Sequence, residues 1–539
     1  MIIFEIVLTL IPVAAANWRM DIERRLSKVF TASSRDVIML HLHPPCQRRW
    51  VLLVSLVSNF ATEGSRDVSP VHRIRRQTVQ WTTQSSGRGA NSRGLASMEI
   101  SSATSRAEAR SDAASRGQQM SLASPKKGVR RYLWSFWILL GPGFLAALAD
   151  NDAGGVISYT ATGVQFGIGL FVPLVLCLAV LTFTVQEMSM RLSAVTQEGI
   201  SRLAQRRYGK FWGYYHVTTL ALENLLTLIT EFIGMSAGLE MLGIPMWIAD
   251  LLCLIFVISF VVFTGYFTKE RIALVIGALN VVFLVVAGMT HPSLEAIGRA
   301  FATWNVPGSL RGDVTWFVIA TVGNAIAPWM IFFQGSGAID KGVSARELRL
   351  GRIDTAFGCI MQAVIAAAII VCGASLYGHL QHVTSLGPSD IIGGLTHTVG
   401  RVGATLFGIG LFDAGFLASI TVSLSSSWSI AELFGWSKSL NDKVRQAPKF
   451  YAIYAGSLVI AALAILVPHL PLNLISIVTQ VMGGVLMTPL LIFLVLMTSD
   501  RDLMGPYRTK WWGRIWGWAM VGLLVALTLA TLVQTALQA

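Results

Sequence analysis

Charge is what this chain has least of. Of its 539 residues only 13% are Asp, Glu, Lys or Arg, while 53% are hydrophobic. Soluble domains carry about 25% charge, so most of this surface does not face water. Cysteine is also scarce. The five (Cys46, Cys177, Cys253, Cys359 and Cys372) fall into no zinc-ligand or CxxC spacing, which argues against a metal finger or redox motif. Four of them sit in apolar runs, where a free cysteine behaves as a small hydrophobe, so a disulfide framework is not expected. HExxH, GxSxG and protease-like His/Asp clusters are missing as well, and no enzyme is expected.

What is present is apolar length. Mean hydropathy is +0.60, and the 16 Trp and 49 Gly fit membrane-interface anchors and tolerated glycines of spanning helices. The net charge of +13 is uneven: residues 1–131 hold 20 Lys/Arg and 9 Asp/Glu, so +11 of it resides there. The basic balance therefore does not describe the apolar body, and nucleic-acid binding is not expected.

Two regions follow from composition. Residues 1–130 read as a disordered basic N-terminal region. Positions 62–128 are rich in Ser, Arg, Gly and Gln and offer too little apolar surface to order the chain. Met1–Ala16 lacks the basic start of a signal peptide and carries Glu5. The run Trp50–Phe60 is too short to span a bilayer. A natural start at Met98 or Met120, with a misassigned upstream stretch, is an alternative. Residues 131–539 read as a transmembrane domain.

A bilayer core about 30 Å thick needs about 20 helical residues. Runs of that length occur near 133–161, 168–193, 213–240, 246–267, 271–290, 315–338, 353–377, 402–433, 450–467, 472–497 and 512–535. The expectation is an all-α membrane protein of eleven transmembrane helices. With a cytoplasmic N-terminus, inside loops hold about 19 Lys/Arg, among them Arg202, Lys210, Lys341 and Lys438, against Arg299, Arg311 and Arg401 outside. That asymmetry predicts a multi-pass plasma-membrane (bacterial inner-membrane) protein with its C-terminus outside.

Two spans contain residues that a lipid-facing helix should not have. The first runs from Gly141-Pro142-Gly143 to Asp150-Asn151-Asp152-Ala153-Gly154-Gly155. Ionisable groups at membrane depth are functional candidates by default. Gly154 lets the backbone leave helical geometry, and carboxylate with freed carbonyl oxygen is what a hard cation binds. A Gly-hinged packing contact is the alternative. In the sixth span, Gly323-Asn324-Ala325-Ile326-Ala327-Pro328-Trp329, Pro328 interrupts the hydrogen-bond ladder. Interrupted first and sixth spans, five helices apart, point to an inverted repeat with its substrate site between them. Other polar residues in the spans are Glu223, Glu231, Asp413, Ser425, Ser426, Ser427 and Gln480, whereas Asp250 and Glu432 near span ends read as solvated.

From about Gly141 to Gly505 the chain resembles the natural resistance-associated macrophage protein (NRAMP) family of divalent metal transporters. Asp152-Ala153-Gly154-Gly155 stands where that family has D-P-G-N. It is followed by Gln165-Phe166-Gly167, Glu231-Phe232-Ile233-Gly234, Ala327-Pro328-Trp329 for M-P-H, and Gly410-Leu411 through Ala414-Gly415. Thr479-Gln480 and Thr498-Ser499-Asp500-Arg501 with Leu503-Met504-Gly505 complete the series. The resemblance implies a LeuT-type inverted-repeat fold with the first and sixth helices broken at mid-membrane. It also implies transport of a divalent metal ion, which is then the substrate; no other cofactor is expected.

The departures bear on chemistry. In the family the Asp and Asn of the first motif and the Met of the sixth bind metal; here these are Asp152, Gly155 and Ala327. Loss of the soft thioether removes a filter for transition metals and leaves more room, which suits Mg²⁺ because it keeps several waters. The pattern is similar to NRAMP-related magnesium transporters. The expected metal set is Asp152 and Gly155, backbone oxygens near Ala149 and Ala325, Ala327 beside them, and Gln480 across the cavity through water. An ion or proton path is expected among Asp150, Asn151, Glu231, Asp413 and Trp329.

Coupling is altered too. The family's His is Trp329, the acid three residues before Glu231 is Leu228, and Lys449 is the nearest cation to its paired Arg. Uptake of Mg²⁺ or Mn²⁺ by alternating access, without proton coupling, is the expectation. A proton-coupled Mn²⁺/Fe²⁺ symporter and a sodium-coupled organic-solute transporter of the same fold are the alternatives, the acidic cluster favouring a cation.

Overall fold

The first helix of the domain begins at a proline because Pro142 has no N–H to leave unsatisfied and its φ suits a first helical turn. In the computed structural model, which describes residues 141–263, 266–304, 312–379, 388–440, 442–467 and 472–538, this helix is short. It is α1, Pro142–Ala149, separated from α2, Ala153–Phe166, by Asp150, Asn151 and Asp152. There follow α3 Phe171–Thr196, α4 Ile200–Tyr208, α5 Lys210–Glu240, α6 Met246–Phe263, α7 Tyr266–Gly277, α8 Val282–Met289 and α9 Leu294–Thr303. The sixth predicted span is likewise two helices, α10 Gly312–Ala325 and α11 Pro328–Lys341. The remainder are α12 Leu348–Ala374, α13 Pro388–Phe434, which is kinked at the non-helical Gly400 (φ +72°), α14 Pro448–Ile465, α15 Leu472–Ser499, α16 Arg501–Met504 and α17 Trp511–Gln538. The reading of residues 1–130 as a disordered tail lies outside the described residues.

Among the described residues nine helical segments are long and apolar enough to cross a membrane, and Met246–Val262 is a shorter apolar one. The outer helices turn large apolar side chains outward: Trp247, Ile255, Trp512, Leu529 and Val533 are each more than half exposed. In water such a surface would aggregate; in a bilayer it faces lipid. The architecture is the expected all-α, LeuT-type inverted repeat with both first and sixth segments broken.

Three details differ from the sequence reading. The first break falls on residues 150–152, not at Gly154, which lies in the first turn of α2. The cause is Asp152, whose extended backbone and capping side chain start the new helix there. The fifth segment has an interruption of its own, a 3-10 turn at Ala278–Val281, and Asn280 Nδ2 donates to Leu148 O at 3.3 Å. Asp250 and Glu432 are buried rather than solvated. Glu432 Oε1 accepts from Lys438 Nζ (2.7 Å) and Ser336 Oγ (3.0 Å).

The helices approach one another through glycine. A Cβ at Gly163 would lie 2.2 Å from Ile370 O, and one at Gly373 would lie 2.1 Å from Thr160 O, so α2 and α12 meet backbone to backbone. A Cβ on Gly234 would lie 2.3 Å from that of Ala153, and one on Gly415 would lie 2.8 Å from Glu231 O. Small residues at crossings are what association without a hydrophobic driving force requires. Gly167 closes α2 at φ +68°, which only glycine adopts freely.

Gly163→Ala and Gly373→Ala should each destabilise the protein by about 1–3 kcal/mol, the usual cost of overpacking. Gly456→Ala, where an added Cβ meets nothing within 4 Å, should be silent. Thermal unfolding of the purified protein in detergent, followed by intrinsic fluorescence, checks the order.

Candidate metal site

A helix broken inside a bilayer exposes N–H and C=O groups that no water can satisfy, and each left unpaired costs several kcal/mol. The side chains that answer this need build the site. Asp354 of α12 accepts from Gly141 N (2.8 Å) and Gly143 N (3.0 Å), and so caps the start of α1. Eight residues on, Gln362 meets the other end of α1: its Nε2 donates to Asp150 Oδ2, and its backbone oxygen accepts from Asn151 Nδ2 at 3.1 Å. Eight helical residues rise about 12 Å, the length of the eight-residue α1. One helix therefore holds the half-helix at both ends.

The second half-helix starts on two carboxylates. Asp152 Oδ1 accepts from Gly155 N at 2.5 Å, and Glu231 Oε2 of α5 accepts from Ala153 N at 2.8 Å. Both lie at the positive end of the α2 dipole, where anions are favoured. Gln480 of α15 donates Nε2 to the same Asp152 Oδ1 at 3.3 Å. Among the described residues no donor reaches Asp152 Oδ2. One oxygen thus orients the group, and the other is left to face a ligand.

The two breaks touch. Asn324, the penultimate residue of α10, donates Nδ2 to Gly155 O at 3.2 Å. Its Oδ1 is buried and accepts no hydrogen bond from the described residues. A Cβ at Gly155 would lie 2.7 Å from Asn324 Oδ1 and 2.9 Å from Asp152 Oδ1. Position 155 therefore has no room for the amide that the family resemblance would put there, and the amide of Asn324 fills that space. Gly154 is similarly enclosed, with Thr230 Oγ1 at 2.5 Å and Gln480 Nε2 at 2.9 Å from an added Cβ.

The sixth-segment break is quieter. Ala327 is the extended N-cap of α11, and Pro328 is its first residue. Ala325 O, expected to be free for a cation, accepts from Thr182 Oγ1 of α3 at 2.8 Å. A carbonyl has a second lone pair, toward which Gln362 Nε2 lies at 3.4 Å. Ala149 ends α1, where carbonyls lose their helical donors. With Ala327 in place of a thioether, the polar atoms gathered at the two breaks belong to Asp150, Asn151, Asp152, Glu231, Asn324, Gln362 and Gln480, with oxygen as the acceptor throughout. Oxygen acceptors are what a hard or borderline divalent cation takes, although among the described residues no three His, Cys, Asp or Glu side chains gather as a metal-holding group.

One expected path residue stands apart. Asp413 lies two positions from Gly415, so it points about 200° away from the face that meets Glu231 and Ala153. Its near neighbour Gly410 instead faces Val282 and Phe283. Trp329 is fully buried edge-on to Phe333, ring centroids 6.4 Å apart. The sequence reading missed Asp354, Gln362 and Asn324 as site residues. The signal for each was a polar residue inside an apolar run, but nothing local says which partner it meets.

The profile described as "Natural resistance-associated macrophage protein-like" matches residues 143–534. The "Divalent metal cation transporter MntH" of Listeria welshimeri is 25% identical over 435 residues, covering 77% of this chain and 93% of its own length. The MntH of Staphylococcus aureus strain JH9 is 25% identical over 433 residues, covering 74% and 92%. The crystal structure of the Eremococcus coleocola manganese transporter superposes with a TM-score of 0.61 at 17% identity, over 76% of this chain and 88% of that one. At that identity the likeness is one of fold.

Gly155→Asn should weaken binding of a divalent ion by at least about tenfold, through displacement of Asn324. Adding Asn324→Gly should recover part of the loss, since the two side chains compete for one space. Binding titrations of the two single variants and the double variant give the coupling; strict additivity would contradict the shared-space account.

Proposed function

Because the chain belongs to the natural resistance-associated macrophage protein-like family, we propose that it carries a divalent metal ion across the membrane, received by Asp152. The observation that carries this reading is the state of that carboxylate. Its Oδ1 is fixed by Gly155 N–H and Gln480, and its Oδ2 has no donor from the described residues. A buried charge is costly unless paired, and a cation at Oδ2 supplies the pairing. Gln480 and Asn324 lie close enough to hold the ion or the waters it keeps. The two broken helices then form the midplane site, and the surrounding helices rock to open it to each side in turn.

The substrate within that class is Mg²⁺ or Mn²⁺. The site lacks the thioether that favours softer metals, and Ala327 leaves space for a hydrated ion. Direction is into the cytoplasm, with the Lys210 end of α5 as the cytoplasmic end. A potential of 100 mV drives a divalent ion by about 4.6 kcal/mol, twice the value per unit charge, so transport needs no coupled proton. A proton-coupled Mn²⁺ or Fe²⁺ symporter is the second reading. It is favoured by Glu231, an acid held 2.8 Å from Ala153 N beside the site, and by the substrates named for the relatives.

Asp152→Ala should abolish uptake into liposomes while the protein stays folded. Loss of a group that merely orients a metal ligand costs about 10–100-fold, and loss of the ligand should cost at least that. Ala327→Met should shift preference from Mg²⁺ toward Mn²⁺. Uptake of Mg²⁺, Mn²⁺ and Ca²⁺ with luminal pH recorded separates the two readings: acidification that tracks Mn²⁺ flux supports the symporter, and constant pH supports the uniport. Normal flux in Asp152→Ala removes the site assignment.

A further inference from the structure

One end of the molecule carries cations that no acid balances. The connection between α15 and α17 holds Arg508 and Lys510, and the first turn of α17 holds Arg514. All three side chains are exposed. None of them forms an ion pair with another described residue. The acids nearest in sequence, Asp500 and Asp502, are both taken by Arg207, at 2.9 and 3.3 Å. Those ion pairs also place the connection at the Lys210 end of α5, since Arg207 belongs to α4, three residues before Lys210. An unbalanced positive patch of this kind attracts anions.

The backbone under the patch is fixed. Arg191 of α3 donates Nη1 to Tyr507 O (2.8 Å) and Nη2 to Thr509 Oγ1 (3.1 Å). Thr509 N donates to Thr498 O of α15 at 2.9 Å. Arg508 is therefore held between two anchored neighbours. Lys510 O accepts from Arg514 N at 3.0 Å, so Lys510 and Arg514 lie one helical turn apart on one face. Between them Trp511 and Trp512 stack with ring centroids 3.6 Å apart, and they are 53% and 67% exposed. Further along α17, Ile515, Leu523, Leu529 and Val533 face outward. Exposed tryptophans sit at the border between headgroups and hydrocarbon. The three cations thus lie at headgroup depth, and the apolar face of α17 continues from them into the bilayer.

We propose that Arg508, Lys510 and Arg514, with Trp511 and Trp512, bind the headgroup of an anionic phospholipid. The phosphate meets the guanidinium and ammonium groups, the glycerol region lies against the indoles, and the acyl chains follow the exposed face of α17. Charge selects this occupant. An apolar helix face accepts the chains of any lipid, but three unpaired cations at its head favour one with net negative charge. A choline headgroup brings a cation of its own to the patch and gains little. Each basic side chain near an anionic lipid surface contributes about fivefold to binding.

The test is native mass spectrometry of the full chain released from micelles that contain phosphatidylglycerol and phosphatidylcholine in equal amounts. Wild type should retain phosphatidylglycerol in preference to phosphatidylcholine. Arg508→Gln, Lys510→Gln and Arg514→Gln should each lower that preference about fivefold, and the triple variant should have none. The pair Arg299→Gln and Arg401→Gln, cations assigned to the opposite end of the helices, should behave as wild type. Added inorganic phosphate should not displace the lipid. An unfolding temperature in phosphatidylcholine equal to that of wild type shows that the triple variant is folded, and the single variants at exposed positions carry the test independently. Equal retention of the two lipids by wild type, an undiminished preference in the triple variant, an equal loss in the opposite-end variant, or displacement by inorganic phosphate overturns the proposal.

Discussion

A backbone that stops being helical inside a bilayer must find its hydrogen bonds within the protein, and the rest of this structure depends on how that need is met. Two segments break here, at residues 150–152 and at Ala327. Several of the freed groups are met by side chains, most of them from distant parts of the chain. Asp354 meets the first turn of α1, and Asp152 and Glu231 meet that of α2. Thr182 meets the end of α10, and Asn280 the end of α1. The polar residues of the core are thus first of all the solution to a structural problem. The proposed metal site uses what is left over: the second oxygen of Asp152 and the amide oxygen of Asn324.

The division of labour among the helices follows. Helix α12 clamps α1 at two points eight residues apart, so α1, α12 and the 150–152 break behave as one body. Helix α3 runs a row of polar contacts along the sixth segment: Thr182 to Ala325 O, Gln186 Nε2 to Met330 Sδ (2.9 Å), and Ser189 to Ile331 O (2.6 Å). Helix α12 also reaches the sixth segment, through Gln362 Nε2 to Ala325 O (3.4 Å) and Gln334 Nε2 to Thr355 Oγ1 (3.1 Å), and the two broken segments are joined to each other by the Asn324–Gly155 bond. In the proposed alternating access, helices that rock as groups would carry these ties with them.

Gly155 and Ala327, which stand where the family resemblance implies an amide and a thioether, have a structural side as well as a chemical one. Gly155 is required by the approach of Asn324, which brings an amide to the same place from the opposite break. The small Ala327 leaves Pro328 next to the space that Gly483 and Glu223 border. The side chains left at the breaks offer oxygen acceptors, and Asp150, Asp152 and Glu231 form no ion pair with another described residue.

The sequence by itself determined the membrane class, the series of apolar segments, the two interruptions and Asp152 as the acid between them. These are local facts: run length, a proline, a carboxylate among apolar residues, and motif order. It also indicated the inverted relation of the first and sixth segments, because five helices separate them. The tertiary structure alone decided which polar residue meets which. Asp354 and Gln362 are more than 200 positions from their partners in α1 and its break, and Asn324 is 169 positions from Gly155; no local pattern encodes such pairings. Packing likewise moved the break two residues ahead of Gly154, turned Asp413 away from the site and buried Glu432 against Lys438. Each outcome depends on what another helix presents at contact distance, and that is set only when the helices assemble.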